Sequence, residues 1–198
     1  MLKLLLATTN PGKLRELRAL FALPGLVLTD PGQIALRLEV EETGSTYVEN
    51  ARLKALAHAG ASGLWTVADD TGLEVDALGG APGLLSARAG PDDQLRRQAL
   101  LRALRSLPRP WRAQFRCGLV LAGPLGSVDE AEGSVAGEVV PEARGSDGFG
   151  YDPIFLVQGT GKTMAELDLR TKNQISHRAR ASQALRPRLL VRLGLEGR

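Results

Sequence analysis

The chain of 198 residues has one cysteine, few aromatic residues and no long hydrophobic run. Because Cys117 has no second cysteine to pair with, an internal disulfide is excluded, and we expect this residue in the core. No apolar stretch reaches the roughly 20 residues that span a bilayer. The segment Met1 to Ala7 is short, apolar and followed by a helix start, so it predicts a first strand rather than a signal peptide, and a cytoplasmic protein.

Lysine is also scarce: of 25 basic residues, the lysines are only Lys3, Lys13, Lys54, Lys162 and Lys172. In a chain so biased toward arginine, lysine is expected where a compact point charge is needed, for example against a phosphate. The net charge of +3 and the pI of 9.3 suggest an anionic partner. Arginines concentrate in the last segment, from Arg178 onward, where a solvated helix face and a nucleic-acid surface are both open interpretations.

Two segments predict helices that begin beside polar residues. A strand from Lys3 to Ala7 leads to Asn10, a candidate N-cap, with Pro11 at the first helical position. Such an N-terminus attracts anions, and Lys13 in its first turn indicates a bound anion, although such lysines also reach solvent. A capping box at Thr46 begins a second helix that runs to about His58.

Asp69 and Asp70 follow the apolar run 64–68, which predicts a strand that stops at these carboxylates and turns at Thr71 and Gly72. Ligands of α/β proteins usually bind where such strands end, so metal-assisted chemistry is one interpretation. The other is a solvated Asp beside an Asp that caps a turn. Since side chains alternate along a strand, we expect Asp70 in the site and Asp69 on the other side, supporting the turn.

The rest of the chain predicts a mixed sheet. A helix is expected from Asp92 to Leu107, followed by a strand over 113–121 that forms a hairpin with 128–140. A hairpin within alternating strands and helices indicates an α/β protein with a mixed sheet. The P-loop-like run 159–163 lacks the required upstream glycine and is interpreted as a turn.

Phe149 lies between two glycines, so its ring could stack on a nucleobase or fill a local core. Downstream, Lys172, Ser176, His177 and Arg178 fall within seven residues and offer donors to a base edge and to phosphate oxygens.

Taken together, these motifs resemble the inosine/xanthosine triphosphate pyrophosphatases along nearly the whole chain. The resemblance rests on residues 8–13, 41–44, 49–51, 54–55, 68–73, 80–83, 86–88, 148–155 and 176–178. Thr71 stands where the family more often has Ser, and Ala89 replaces a common aromatic residue.

This resemblance implies one nucleoside triphosphate pyrophosphatase domain over residues 1–198, with an α/β fold of two lobes. A long central mixed β-sheet would be flanked by helices, the active site would lie in the cleft between the lobes, and the protein would be a homodimer. Mg²⁺ is assigned to Glu41 and Asp70, with Asp70 also the proton acceptor for the attacking water. The residues assigned to the substrate are Thr8, Thr9, Asn10, Pro11, Gly12, Lys13, Lys54 and Thr71, and, around the base, Phe149, Gly150, Tyr151, Asp152, Lys172, His177 and Arg178.

The reaction implied by the resemblance is hydrolysis of ITP, dITP or XTP to the monophosphate and pyrophosphate, by attack of water at the α-phosphorus. One alternative is a related enzyme that acts on pyrimidine or modified nucleoside triphosphates. The other is a basic nucleic-acid-binding module that uses Phe149 and the arginines of the last helix. That module gives no reason for Glu41 and Asp70.

Overall fold

A computed structural model describes residues 2–196 of the chain. The strands and helices, numbered in chain order, are β1 (Leu2–Leu6), α1 (Pro11–Leu20), β2 (Leu26–Thr29), α2 (Tyr47–Ser62), β3 (Trp65–Val75), α3 (Asp93–Leu104), β4 (Trp111–Ala122), β5 (Val128–Val139), β6 (Phe155–Val157), α4 (Leu169–Ile175) and α5 (His177–Leu193). Within residues 2–196, no helix has the length and apolar character needed to cross a membrane.

Six strands form one sheet in the order β2-β1-β3-β4-β5-β6. Strand β1 pairs in parallel with β2 and β3, whereas β5 and β6 pair antiparallel. This architecture confirms the predicted α/β fold with a mixed sheet and flanking helices. The chain divides into two compact units: unit 1 comprises Met1–Asp70, Cys117–Gly133 and Arg178–Arg198, and unit 2 comprises Thr71–Arg116 and Ser134–His177.

Unit 1 is built around an aliphatic core and a second cluster made mostly of alanines. The aliphatic core includes Leu4, Leu6, Leu17, Phe21, Leu119, Leu121, Leu185 and Leu189, and Cys117 is buried in it as expected. Ala51, Ala55 and Ala59 of α2 are fully buried against small residues of the strands. At Gly118 an added Cβ would lie 2.5 Å from the backbone nitrogen of Val48, so this glycine lets α2 pack closely on β4.

Unit 2 has its own core of aromatic and aliphatic side chains from β3, α3, β4 and the segments after β5. Its members include Leu73, Leu100, Leu104, Trp111, Phe115, Tyr151 and Phe155. Phe115 and Phe155 pack with ring centroids 4.6 Å apart. Because Leu100 and Leu104 lie in this core, α3 is anchored to it along its second half.

Several predicted boundaries are confirmed and others are wrong. Asn10 and Thr46 are N-caps, and β4 and β5, which follow each other in the chain, are neighbours in the sheet as the predicted hairpin requires. The prediction that the strand stops at Asp69 and Asp70 is wrong, because β3 continues to Val75. Most of β3 is buried, and packing on both faces outweighs the turn preference of a Thr-Gly pair.

Two helix ends also differ from the prediction. Helix α2 passes through Gly60 and ends at Ser62, and Gly63, with a φ of 70°, is its left-handed C-cap. The predicted end near His58 is therefore too early. Helix α3 begins after the N-cap Asp92, as expected, but ends at Leu104 rather than at Leu107.

Candidate active site

The N-terminus of α1 presents a polar turn in unit 1. The side-chain oxygen of Asn10 accepts a hydrogen bond of 3.0 Å from the backbone N–H of Lys13, and Thr8 Oγ1 accepts one of 3.2 Å from Asn10. Thr9, Asn10 and Pro11 are exposed, whereas Gly12 is buried. These contacts fix the turn and leave it accessible at a helix end that favours anions.

Asp69 belongs to a buried network of charges. Its Oδ2 atom lies 3.1 Å from Lys13 Nζ and accepts bonds of 2.9 and 3.1 Å from Nη2 and Nε of Arg178. Arg178 also donates to Glu16, and the side chains of all these residues except Lys13 are almost fully buried. Lys13 therefore has a protein partner that explains a cation in the first turn of α1.

This network keeps Asp69 ionised. Burial by itself would raise the pKa of Asp69, but Lys13 and Arg178 outweigh it and hold that pKa well below its usual range. Burial likewise disfavours the charged form of Arg178, yet Asp69 and Glu16 keep the pKa of its guanidinium above the ordinary value. A carboxylate with so low a pKa is a poor proton acceptor, so Asp69 is a structural anion.

Asp70 has a different environment. Its Oδ2 accepts a hydrogen bond of 3.0 Å from the amide of Asn50, and its Oδ1 is 4.0 Å from Lys54 Nζ. Burial raises the pKa of Asp70, while Lys54, Lys13 and the bond from Asn50 only oppose this rise. Its side chain keeps 11% exposure, so water can reach it. A raised pKa and partial exposure suit a proton acceptor.

Asn50 links Asp70 to residues 41–44, the acidic segment before α2. Its Oδ1 accepts a hydrogen bond of 2.8 Å from the backbone N–H of Gly44. A Cβ on Gly44 would lie 2.6 Å from the Cβ of Glu49 and 2.8 Å from Asn50 Oδ1, so only glycine fits there without a shift. Asn50 thus fixes both the segment and the carboxylate of Asp70.

The acidic segment contributes carboxylates of unequal burial. Glu42 is half-buried and lies 2.6 Å from Lys54 Nζ, and its charge adds to the rise in the pKa of Asp70. Glu41 is exposed. Among residues 2–196, no group of three or more His, Cys, Asp or Glu side chains could hold a metal ion. The donors present nevertheless fit Mg²⁺, which binds through one or two carboxylates and completes its shell with water and substrate phosphates.

Unit 2 holds all the residues assigned to the base except Arg178, which lies in unit 1. Lys172 Nζ lies 2.6 Å from Asp152 Oδ2, which also accepts a bond of 2.9 Å from the N–H of Phe149. The same ammonium is 5.2 Å from the centroid of the Phe149 ring. At Gly148, with φ of 83°, a Cβ would collide with Asp152 Oδ2. Phe149, Asp152 and Lys172 therefore form one compact group.

Other residues assigned to the base have partners of their own. The ring of His177 stacks on Phe115 at 4.8 Å, and the hydroxyl of Tyr151 donates to the carbonyl of Ser86 at 3.2 Å. The N–H of Gly150 donates to Asp93. Arg178 is held by Asp69 and Glu16 in unit 1, as described above, and Thr71 is half-buried in β3. The substrate roles of these residues remain predictions.

A family model described as the Ham1 family matches residues 4–188. The chain belongs to the Ham1 family. A dITP/XTP pyrophosphatase of Gloeobacter violaceus is 51% identical over 183 residues, which cover 92% of this chain and 91% of that protein. A dITP/XTP pyrophosphatase of Thermus thermophilus is 49% identical over 187 residues, 93% of this chain and 90% of that one. The solved structure of a HAM1 protein from Coxiella burnetii is 38% identical, has a TM-score of 0.85, and covers 96% of this chain and all of its own.

Sequence reasoning on this Ham1 chain missed Glu16, Asp93 and Arg97. Glu16 lies three residues after Lys13 on α1 and is buried there. Its partner Arg178 lies 162 residues away, and nothing local indicates that pairing. Asp93 and Arg97 read as ordinary charges on the face of an amphipathic helix.

Proposed function

We propose that this chain hydrolyses non-standard purine nucleoside triphosphates, namely ITP, dITP and XTP, to the monophosphate and pyrophosphate. The observation that carries the proposal is Asp70, a buried carboxylate with a raised pKa beside Lys54 and Asn50. The similarity to dITP/XTP pyrophosphatases over most of the chain supports the same reaction.

In this proposal Asp70 accepts a proton from the water that attacks the α-phosphorus. The water oxygen forms a bond to that phosphorus, the bond from phosphorus to the αβ-bridging oxygen breaks, and pyrophosphate leaves. Asn50 holds the Asp70 carboxylate through its hydrogen bond of 3.0 Å. Lys54 and the α1 turn, with Lys13, contribute positive charge and N–H donors to the phosphates.

Glu41 and Asp70 would hold Mg²⁺, and the exposure of Glu41 makes its carboxylate available for this. When bound, the ion would neutralise phosphate charge as a Lewis acid. Glu42 already neutralises Lys54 at 2.6 Å, so the ammonium is kept in place near Asp70 before substrate arrives.

The compact group of Phe149, Asp152 and Lys172 in unit 2 would explain a preference for purines with a 6-keto group. Phe149 would stack on the base, and Lys172 and His177 would address its edge. An ammonium group has only donors, so Lys172 suits a keto oxygen and has nothing to accept from the amino group of adenine. Asp152, at 2.6 Å, holds that ammonium in position.

The arginines of the last helix do not favour a nucleic-acid-binding module. Arg178 is buried, Arg188 donates to the carbonyl of Glu130, and Arg192 pairs with Asp129 at 2.7 Å. Three of the arginines on which a nucleic-acid surface would rest are therefore engaged by other parts of the chain.

We also propose a homodimer that acts in the cytoplasm. Light scattering coupled to size-exclusion chromatography tests the first of these proposals, and cell fractionation tests the second. A monomer, or recovery outside the cytoplasmic fraction, would contradict them.

A substrate panel tests the proposed reaction. ITP, dITP, XTP, GTP, ATP, UTP and CTP are incubated with the protein and Mg²⁺, and the products are identified by chromatography. We expect inosine and xanthosine monophosphates with pyrophosphate, at rates well above those for ATP. Release of orthophosphate, equal rates on ATP, or faster hydrolysis of the pyrimidine nucleotides would overturn the proposal. Omitting Mg²⁺ tests the metal separately, and we expect turnover to stop.

A further inference from the structure

Two side chains on one face of α3 bind the backbone of Gly150, one at its N–H and the other at its carbonyl. The N–H of Gly150 donates to Asp93 Oδ2 at 2.7 Å, and its carbonyl accepts from Arg97 Nη1 at 2.7 Å. Asp93 and Arg97 are four residues apart, so they lie one above the other on the helix. Two charge-assisted bonds to one residue form a clamp, and we call Asp93 and Arg97 the α3 clamp.

The α3 clamp has a rigid support. Asp93 is in the first turn of α3, where a carboxylate is favoured by the helix dipole, and its other oxygen binds Arg96 at 3.0 Å. Leu100 and Leu104 fix the same helix in the core of unit 2. The position of Gly150 is thereby tied to a packed core rather than to a mobile chain.

The segment that the α3 clamp holds is rich in glycine. Gly145, Gly148 and Gly150 all have positive φ, so glycine leaves the backbone many alternatives. Phe149 lies between two of these glycines, and its own N–H is held by Asp152. The α3 clamp restrains Gly150, the residue after Phe149. Tyr151, the residue after that, is anchored by the hydrogen bond from its hydroxyl to the carbonyl of Ser86.

We propose that Asp93 and Arg97 are positioning residues that set the place of the Phe149 ring and thereby the affinity for the purine base. The inference rests on the proposed function, in which Phe149 stacks on that base. Neither residue is required to touch the substrate. Their loss should weaken binding of the base and leave the phosphate contacts in unit 1 and the chemical step unchanged.

The first experiment compares Arg97→Met with the unaltered enzyme. Methionine keeps an unbranched stem and good helix propensity but removes the donor to the Gly150 carbonyl. We expect KM for ITP to rise roughly tenfold, the usual effect of losing one charge-assisted hydrogen bond, with kcat within about twofold. The inhibition constant of tripolyphosphate, which has phosphates but no base, should not change. Asp93→Ala removes the acceptor at the other side of Gly150 and should give the same pattern.

The matched control is Arg102→Ala, an exposed arginine in the last turn of the same helix. It should leave every constant unchanged. An unchanged KM for ITP in both clamp variants would overturn the inference. So would a parallel rise in KM and in the inhibition constant of tripolyphosphate, since that pattern indicates general damage.

Hydrogen exchange followed by mass spectrometry separates this inference from the proposed function. Both clamp variants should speed exchange in the peptide that contains residues 148–151 and not in peptides of β1 or α2. This readout does not need turnover. If the unaltered protein fails to hydrolyse ITP, the proposed function fails and the link to purine affinity fails with it, while the restraint on residues 148–151 is still measured by exchange. Unchanged exchange at 148–151 refutes the clamp alone.

Discussion

Asp69 and Asp70 are neighbours on β3, but the protein surrounds their carboxylates differently. The Asp69 carboxylate forms an ion pair with Lys13 and accepts hydrogen bonds from Nε and Nη2 of Arg178, all within 3.1 Å. The Asp70 carboxylate accepts a hydrogen bond of 3.0 Å from the uncharged amide of Asn50, and Lys54 Nζ lies 4.0 Å from its Oδ1. Since adjacent side chains on a strand point to opposite faces, one strand serves two distinct environments.

The pKa directions show what this difference does. Both carboxylates are penalised by burial, but charge partners overcome the penalty at Asp69 and fail to overcome it at Asp70. A buried charge that is fully neutralised holds structure together, whereas one that is only partly neutralised can take up a proton or a cation. The comparison therefore separates an aspartate held in a neutralised ion-pair network from the one that we propose as the proton acceptor.

The largest expected effect follows Asp70→Asn. The amide oxygen at this position can still accept from Asn50, but it cannot take a proton from water, so kcat for ITP should fall by about a thousandfold. The free energy of unfolding should not decrease, because a buried charge is removed. Steady-state kinetics and urea denaturation measure the two quantities. A variant with near-normal kcat would remove Asp70 from the mechanism.

Asp69→Asn should produce the opposite pattern. It leaves Lys13 and Arg178 with one buried acid, Glu16, and breaking a buried pair costs about 3–5 kcal/mol of unfolding free energy. Urea denaturation monitored by circular dichroism measures that loss, and kcat is normalised to the folded fraction. Arg52→Gln is the control, because it breaks the exposed pair with Glu130 and should cost at most about 1 kcal/mol. Equal losses in the two variants would refute the buried network.

Glu16→Gln tests the same buried network and should reduce the unfolding free energy by less than Asp69→Asn does. The substitution keeps the shape of the side chain and leaves Arg178 paired with Asp69, so the loss in unfolding free energy should be about 1–3 kcal/mol. It should be smaller than the loss from Asp69→Asn in the same denaturation experiment. No loss would show that Glu16 does not balance the charge of Arg178, and a loss as large as that from Asp69→Asn would contradict the expected order of the two effects.

The sequence predicted the local features of this fold and missed those that depend on distant residues. N-caps at Asn10 and Thr46 are confirmed because capping is encoded within a few residues. The end of β3 was predicted wrongly because Thr71 and Gly72 favour a turn only in the absence of neighbouring strands.

The candidate site shows the same limit. Alternation along a strand separates Asp69 from Asp70, and their different surroundings agree with it. The partners of Asp69, however, lie 56 and 109 residues away in sequence, at Lys13 and Arg178. Only the fold brings such charges together, and no local pattern distinguishes a lysine that binds phosphate from one that neutralises a buried aspartate.

Hydrolysis of ITP in water enriched in oxygen-18 tests the central claim most directly. The unaltered enzyme, Asp69→Asn and Asp70→Asn are compared, and both products are weighed by mass spectrometry. We predict one heavy oxygen in inosine monophosphate and none in pyrophosphate, with labelled product from the folded fraction of Asp69→Asn and almost none from Asp70→Asn. Label in pyrophosphate would contradict attack at the α-phosphorus, and full labelling by Asp70→Asn would contradict its role as proton acceptor.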